Sequence, residues 1–134
     1  MKRAEFLKRL ITLVGVSLIP LPGLTKSKKV WLLKFGIRGF QYYEGPNLIE
    51  KMQAGDRLEL RREAENPFDK RAIAIYYQNQ KIGFVPREKN EVLSRLMDSG
   101  SIKLVAEVLQ LRDDVSWNEV YAGIYPEIEK KLFA

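Results

Sequence analysis

The alternation of apolar and polar positions predicts a chain built mainly from short β-strands. Residues 57–63 (RLELRRE) alternate with a period of two, which is typical of a strand with one solvated face. Residues 72–77 (AIAIYY) are rich in β-branched and aromatic residues, which suits a strand covered on both faces. The polar residues 78–80 then reverse the chain into 81–85 (KIGFV), and Pro86 ends pairing because it lacks an N–H. Together these segments predict a β-hairpin.

Weaker patterns add further strands and short helices. An opening strand is predicted over 30–33 and 37–40, and later strands are predicted at 103–111 and 120–125. A short turn or strand is predicted at 48–52, and a turn at 113–114. Apolar positions at helical spacing predict a helix over 88–98, stopped by Ser99-Gly100, and a short charged helix is predicted over 126–133. Five to seven short strands with one or two short helices favour a small, curled β-barrel, because closure removes exposed edges.

The first 29 residues have a different character. A basic start is followed by the uncharged run 10–24 (LITLVGVSLIPLPGL), which is shorter than the roughly 20 residues of a membrane span but fits the apolar region of a signal peptide. Residues 3–8 resemble a twin-arginine export signal with Ala4 in place of the second arginine. No A-x-A-like cleavage site follows, and the chain has no Cys for lipidation. We therefore expect residues 1–29 to be a signal-like or membrane-anchor segment with an apolar helix and a short basic linker.

Two expectations about location follow from this segment. The favoured one is an exported or membrane-associated protein, with membrane association through residues 1–29. The alternative is an amphipathic or buried helix packed on the domain, in a cytoplasmic protein.

Composition limits the chemistry of the remaining chain. The 134 residues predict one globular domain, residues 30–134. The absence of Cys and His removes thiol chemistry, the commonest metal ligand and the commonest general acid or base. Residues 1–29 hold seven of the 23 basic residues and one of the 17 acidic ones, so the net charge of +6 belongs to that segment and the domain is neutral. The basic pI is therefore no evidence for a phosphate-binding face.

A polar turn precedes the hairpin at Asn66-Pro67-Phe68-Asp69. Asn and Asp side chains commonly bond neighbouring backbone groups in turns. Phe68 is unexpected between two turn-forming residues. It is either a buried plug for the barrel end or an exposed contact residue.

Three segments together resemble the HIRAN domain family. They are GFQYYEG at 39–45, GDRLELRREAENPFDKRAIAIYY at 55–77, and KIGFVPREKNEVLSRLMDSG at 81–100. The resemblance spans most of residues 36–125. It implies an OB-like β-barrel and a binding module that, in members fused to DNA-remodelling ATPases, grips the 3′ end of single-stranded DNA.

The resemblance also implies roles for individual residues. Tyr42 and Phe68 would sandwich the terminal base, and Asp69 with Asn66 would face the terminal sugar. Sequence-tolerant binding would follow, since every base offers a π-face for stacking. The remaining candidate positions are Gln41, where an arginine would reach a phosphate; Phe84, in place of a polar histidine; Arg87, at a basic position; and Trp117, in looser alignment with an aromatic that stacks on a second base.

The sequence leaves two alternatives to a module for single-stranded nucleic-acid ends. One is an exported or membrane-tethered interaction domain with another ligand, such as a protein, a glycan or a peptide end. The least favoured is an enzyme, because the chain has no P-loop and no His or Cys, and we expect no cofactor, zinc or ATP hydrolysis. The basic pairs 61–62 and 70–71 are either a phosphate patch or charges balanced by Glu63 and Glu65.

Overall fold

A computed structural model describes residues 29–114 and 117–127, without the side chains of Asp114 and Trp117. These residues form six antiparallel strands. The strands are β1 (Leu33–Gly36), β2 (Arg57–Glu63), β3 (Ala72–Tyr77), β4 (Gln80–Phe84), β5 (Leu104–Asp114) and β6 (Trp117–Pro126). The α-helices are α1 (Gly45–Leu48) and α2 (Glu91–Ser99), and 3₁₀ turns lie at Phe40–Tyr42, Ile49–Lys51 and Arg87–Lys89.

The sheet curls until its two edge strands meet. The strand order is β1-β6-β5-β2-β3-β4. Just beyond β1, Arg38 forms a bridge with Phe84 of β4, with both N–H···O distances 2.9 Å. Gly83 permits this approach, because a Cβ there would lie 2.4 Å from the Arg38 carbonyl oxygen. The predicted small OB-like β-barrel, mainly β with few short helices, is therefore confirmed.

The core lies inside the curled sheet. Residues 72–75 of β3 are all buried, as expected for a strand covered on both faces. The inward residues of the other strands complete the same cluster, which includes Phe35, Leu58, Ile82, Val108 and Ile124. The hairpin loop has positive φ at Gln78 (48°) and Asn79 (66°), the geometry of a two-residue turn that matches strand twist.

Of the turn or strand predicted at 48–52, the turn is present as the 3₁₀ turn Ile49–Lys51, and Leu48 and Ile49 pack into the core. Two other local predictions were wrong. Residues 37–40 do not extend the opening strand, because the chain turns at Gly39 (φ 75°) into the 3₁₀ turn at Phe40–Tyr42. Asp113-Asp114 is not a turn, since β5 continues through it and pairs Asp113 with Asn118.

Other predictions fall on parts of the chain outside this description. One is the apolar N-terminal helix, which falls within residues 1–28. The other is the helix predicted at 126–133, of which the part from residue 128 onward is not described, while Pro126 is the last residue of β6. Within 29–114 and 117–127, no helix has the length and apolar character needed to cross a membrane.

Candidate nucleic-acid interface

The turn between β2 and β3 holds Phe68 outward. The Asn66 Oδ1 atom accepts hydrogen bonds from the backbone N–H groups of Phe68 (2.9 Å) and Asp69 (3.1 Å). This is the local bonding expected of Asn in a turn. The Phe68 side chain is 85% exposed, so it is not a buried plug. The hydrogen bonds of the turn therefore hold an aromatic ring exposed to solvent.

The Asp69 carboxylate is fixed from two sides. Its Oδ1 accepts a hydrogen bond from the Arg71 N–H at 2.9 Å, and its Oδ2 accepts one from Asn90 Nδ2 at 2.7 Å. Burial raises the pKa of Asp69, but these two hydrogen bonds and the nearby Arg87 and Arg71 charges outweigh it and hold the pKa below its usual range. Asp69 is therefore an ionised, oriented acceptor beside Phe68.

Asn90 connects this carboxylate to helix α2. The residue precedes the helix and is buried, and its carbonyl oxygen accepts the Ser94 N–H at 2.8 Å. Its side chain does not cap the helix but points its amide nitrogen at Asp69. The other amide atom, Oδ1, is buried with no hydrogen-bond partner among the described residues. Asn90 thus serves as a positioning residue for Asp69.

An aromatic wall is built from Tyr43 and Phe84. Their rings meet edge to face, with centroids 5.6 Å apart. Lys81 Nζ lies 4.3 Å from the Phe84 centroid and 5.0 Å from that of Tyr43, and forms a 2.7 Å salt bridge with Glu63. Glu63 Oε1 in turn accepts a hydrogen bond from Asn66 Nδ2 at 3.1 Å. One chain of contacts therefore links the aromatic wall to the turn that carries Phe68.

These parts surround an open groove of about 460 Å³. Arg38 and Arg87 supply its positive charge. Arg38 is paired with Glu88 at 2.7 Å, whereas Arg87 is exposed and forms no salt bridge with any residue in 29–114 or 117–127. The groove is lined by Arg38, Gly39, Tyr43, Asn66, Phe68, Asp69, Ala72, Phe84, Val85, Arg87 and Glu88.

A second depression adjoins this groove and holds two more candidates. It measures about 740 Å³ and shares Arg38, Gly39 and Glu88 with the groove. Tyr42, 88% exposed, and Gln41 lie here. Gln41 Nε2 donates a hydrogen bond to the Asn118 carbonyl oxygen, so its amide is tied to the start of β6. Trp117 precedes Asn118 in that strand, and its side chain lies outside the description.

The structure thus divides the predicted residues between two adjoining surfaces. Asn66, Phe68, Asp69, Phe84 and Arg87 line the groove, and Gln41 and Tyr42 line its neighbour. Of the two neighbouring tyrosines, it is Tyr43 and not Tyr42 that lines the groove with Phe68 and Phe84, and its only signal in the sequence is its position beside Tyr42. Lys81, Asn90 and Arg38 were also not predicted as site residues.

Among the residues described, no group of three or more His, Cys, Asp or Glu side chains is arranged to hold a metal ion.

The low pKa of Asp69 predicts an acid-sensitive contribution to stability. The contribution is fully present above the unfolded-state pKa of about 3.9 and is lost as the pH falls through the lower folded-state value. We expect Asp69→Asn to reduce the free energy of unfolding near neutral pH, and the difference from wild type to shrink below about pH 4. Urea unfolding across this range measures it. The exposed Glu65→Gln is the control, and a difference that does not change with pH would contradict the assignment.

Comparisons with known proteins agree with this architecture. The HIRAN domain family model matches residues 31–127. A crystal structure of a Lactobacillus plantarum protein, a structural genomics target, is 24% identical with a TM-score of 0.59 and covers 73% of this chain and 97% of its own. The crystal structure of the HIRAN domain of human HLTF is 21% identical with a TM-score of 0.55, covering 71% of this chain and 75% of its own. No curated protein matches.

The two solved structures are similar to this chain in fold. The family model carries more weight, because it spans most of the chain and includes the turn, the hairpin and the segment that follows it. The chain belongs to the HIRAN domain family.

Proposed function

We propose that this chain is a binding module for single-stranded nucleic acid that recognises the 3′ end. Family membership supports a nucleic-acid-binding role and not a catalytic one. The observation that carries the finer proposal is Phe68, 85% exposed beside the oriented Asp69 carboxylate. Phe68 and Tyr42 offer their rings to the last bases, and stacking of this kind contributes roughly 1–3 kcal/mol per base.

Asp69 accounts for a preference for a free hydroxyl. Each carboxylate oxygen has about two acceptor positions, and the hydrogen bonds from Arg71 and Asn90 occupy one on each oxygen. The remaining positions can accept a hydrogen bond from a terminal 3′-hydroxyl. A terminal phosphate would instead place negative charge against an ionised carboxylate. The site therefore favours the hydroxyl.

The resemblance implies that Asn66 faces the terminal sugar, and we propose that it contributes there by shaping the turn that carries Asp69. The Asn66 Oδ1 atom already accepts two backbone hydrogen bonds, and its Nδ2 donates one to Glu63. It acts in this proposal by shaping the turn, with Asp69 as the group that meets the sugar.

The charges of the groove predict weak dependence on salt. Arg38 and Lys81 are paired with carboxylates, which leaves Arg87 as the cation without a salt bridge in the described groove. The logarithm of the binding constant falls linearly with the logarithm of the salt concentration. For a single strand, each neutralised phosphate adds about 0.7 to the magnitude of this slope. For one neutralised phosphate we expect a slope of about 0.7 in magnitude, below that of a protein that contacts many phosphates.

The test compares oligonucleotides that differ only at their ends. Binding of one short single strand with a 3′-hydroxyl, the same strand with a 3′-phosphate, and its circular form is measured by fluorescence anisotropy at low salt. We expect the hydroxyl form to bind about tenfold or more tightly than the other two, because a hydrogen bond to a charged group contributes about 1.5–3 kcal/mol.

Asp69→Asn is the matched variant, since it keeps the shape and removes the charge. It should reduce the discrimination against the 3′-phosphate, while Glu65→Gln, which changes an exposed carboxylate nearby, should not. Equal binding of all three ends would refute end recognition. No binding at low salt would exclude nucleic acid as the ligand.

A further inference from the structure

A second cluster of aromatic and basic residues lies where the chain enters the barrel. Trp31 and Tyr125 meet edge to face, with ring centroids 5.1 Å apart and an interplanar angle of 82°. Lys29 Nζ lies 5.9 Å from the Trp31 centroid and 5.3 Å from that of Tyr125. Neither ring belongs to the groove described above.

Gly123 of β6 makes room for Trp31 on the outside of the barrel. A Cβ at this position would lie 2.6 Å from the Trp31 ring. The neighbours Ala122 and Ile124 are fully buried in the core, so the side of β6 that carries Gly123 and Tyr125 faces outward. Trp31 is therefore seated on the outer surface of the sheet.

Lys29 is clamped at this place. Its Nζ lies 2.6 Å from Glu107 Oε2, and the carboxylate is almost buried. Burial raises the pKa of Glu107. Hydrogen bonds from Lys29 and Tyr125 and the charges of Lys29 and Arg57 outweigh burial and hold the pKa below its usual range, so the carboxylate is ionised. The point where residues 1–28 join the barrel is thus fixed against the sheet.

Exposed apolar residues and a further lysine surround the two rings. Val30 and Leu32 are 54% and 43% exposed, and Lys34 Nζ lies 5.7 Å from the Trp31 centroid. We call Lys29, Val30, Trp31, Leu32, Lys34 and Tyr125 the Trp31 face.

We propose that the Trp31 face lies on an anionic membrane surface. Trp and Tyr with adjacent lysines are the residues that occupy the interface between water and lipid. Exposed Val30 and Leu32 would enter the boundary of the acyl chains, and Lys34 would meet a lipid phosphate. The preceding sequence is continuous with this arrangement, because the basic linker 25–29 (TKSKK) follows the apolar run 10–24.

The Trp31 face shares no residue with the groove. This proposal does not depend on what the groove binds.

The experiment measures whether Trp31 touches lipid in the full chain. Trp117→Phe leaves Trp31 as the single tryptophan, since the sequence has two. This protein is mixed with vesicles of phosphatidylcholine and phosphatidylglycerol, part of the lipid being brominated in the upper acyl chain. We expect Trp31 emission to be quenched by the brominated lipid, and less so in vesicles of phosphatidylcholine alone.

Variants separate contact by this face from attachment through residues 1–28. Val30→Asp should remove most of the quenching while the protein still sediments with the vesicles. Val92→Asp is the matched control, because Val92 is 64% exposed on helix α2, outside the Trp31 face. Lys34→Gln should lower the ratio of quenched to unquenched Trp31 about fivefold, since one lysine near an anionic surface contributes about 1 kcal/mol.

Three results would overturn the proposal. They are unquenched Trp31 in protein that sediments with the vesicles, equal effects of Val30→Asp and Val92→Asp, and a full chain that does not sediment with phosphatidylglycerol vesicles.

Discussion

Phe68→Ala is expected to weaken binding of a single-stranded oligonucleotide by about 5- to 150-fold, equivalent to roughly 1–3 kcal/mol, and to leave stability almost unchanged. The ring is 85% exposed, so its removal creates little cavity in the core. The turn itself should survive, because its hydrogen bonds join Asn66 to backbone groups and not to the ring. Tyr42→Ala, at an equally exposed ring, should weaken binding by a similar amount.

Anisotropy titration and urea unfolding on the same samples test both halves of this prediction. Phe68→Tyr keeps a stacking ring and should retain binding. Ile75→Ala, in the core, should instead cost about 2–5 kcal/mol of stability. If Phe68→Ala lost stability on the scale of Ile75→Ala, the ring would be a structural plug after all. Unchanged oligonucleotide binding would remove Phe68 from the site.

Gly83→Ala is expected to destabilise the barrel by roughly 2–5 kcal/mol, through backbone strain and overpacking. Gly83 has φ of 150°, and a Cβ would lie 2.4 Å from the Arg38 carbonyl oxygen and 2.5 Å from Ile37 Cγ2. Neither atom can move away freely. Arg38 forms the bridge that joins the two edges of the sheet, and Ile37 is in the core.

Thermal unfolding provides the measurement, since 1 kcal/mol shifts the midpoint by about 4–8 °C in a domain of 60–100 residues. Gly100→Ala is the matched control. Gly100 also has positive φ (69°), but nothing lies within 4 Å of a Cβ there, so it should lose only the roughly 1–2 kcal/mol of left-handed strain. Equal destabilisation by the two variants would show that contact with Arg38 and Ile37 adds nothing.

Much of the sheet was predictable because its signals are local. Residues 72–77 are apolar at every position, and the polar residues that follow required a reversal whatever the rest of the chain did. Helix α2 was visible for the same reason, through the spacing of Leu93 and Met97 and the stop at Gly100. Asp113-Asp114 was misjudged because pairing with β6 outweighed the turn preference of two aspartates.

The candidate site was predictable only in part. The residue types at 66–69 predicted a turn, and the family resemblance drew attention to Phe68, but sequence left its burial open. Exposure is a property of the folded surface, and no pattern within four residues determines it.

Local pattern was sufficient for β2, for the hairpin of β3 and β4, and for the turn at 66–69, because hydrogen bonds and side-chain alternation over a few residues define them. Lys81, Asn90 and Tyr43 gained their roles from contacts across the barrel, with Glu63, Asp69 and Phe84 respectively. Those partners lie 18 to 41 positions away along the chain. Only closure of the sheet brings such residues together, because it is the antiparallel register and the Arg38–Phe84 bridge that set which side chains share the groove.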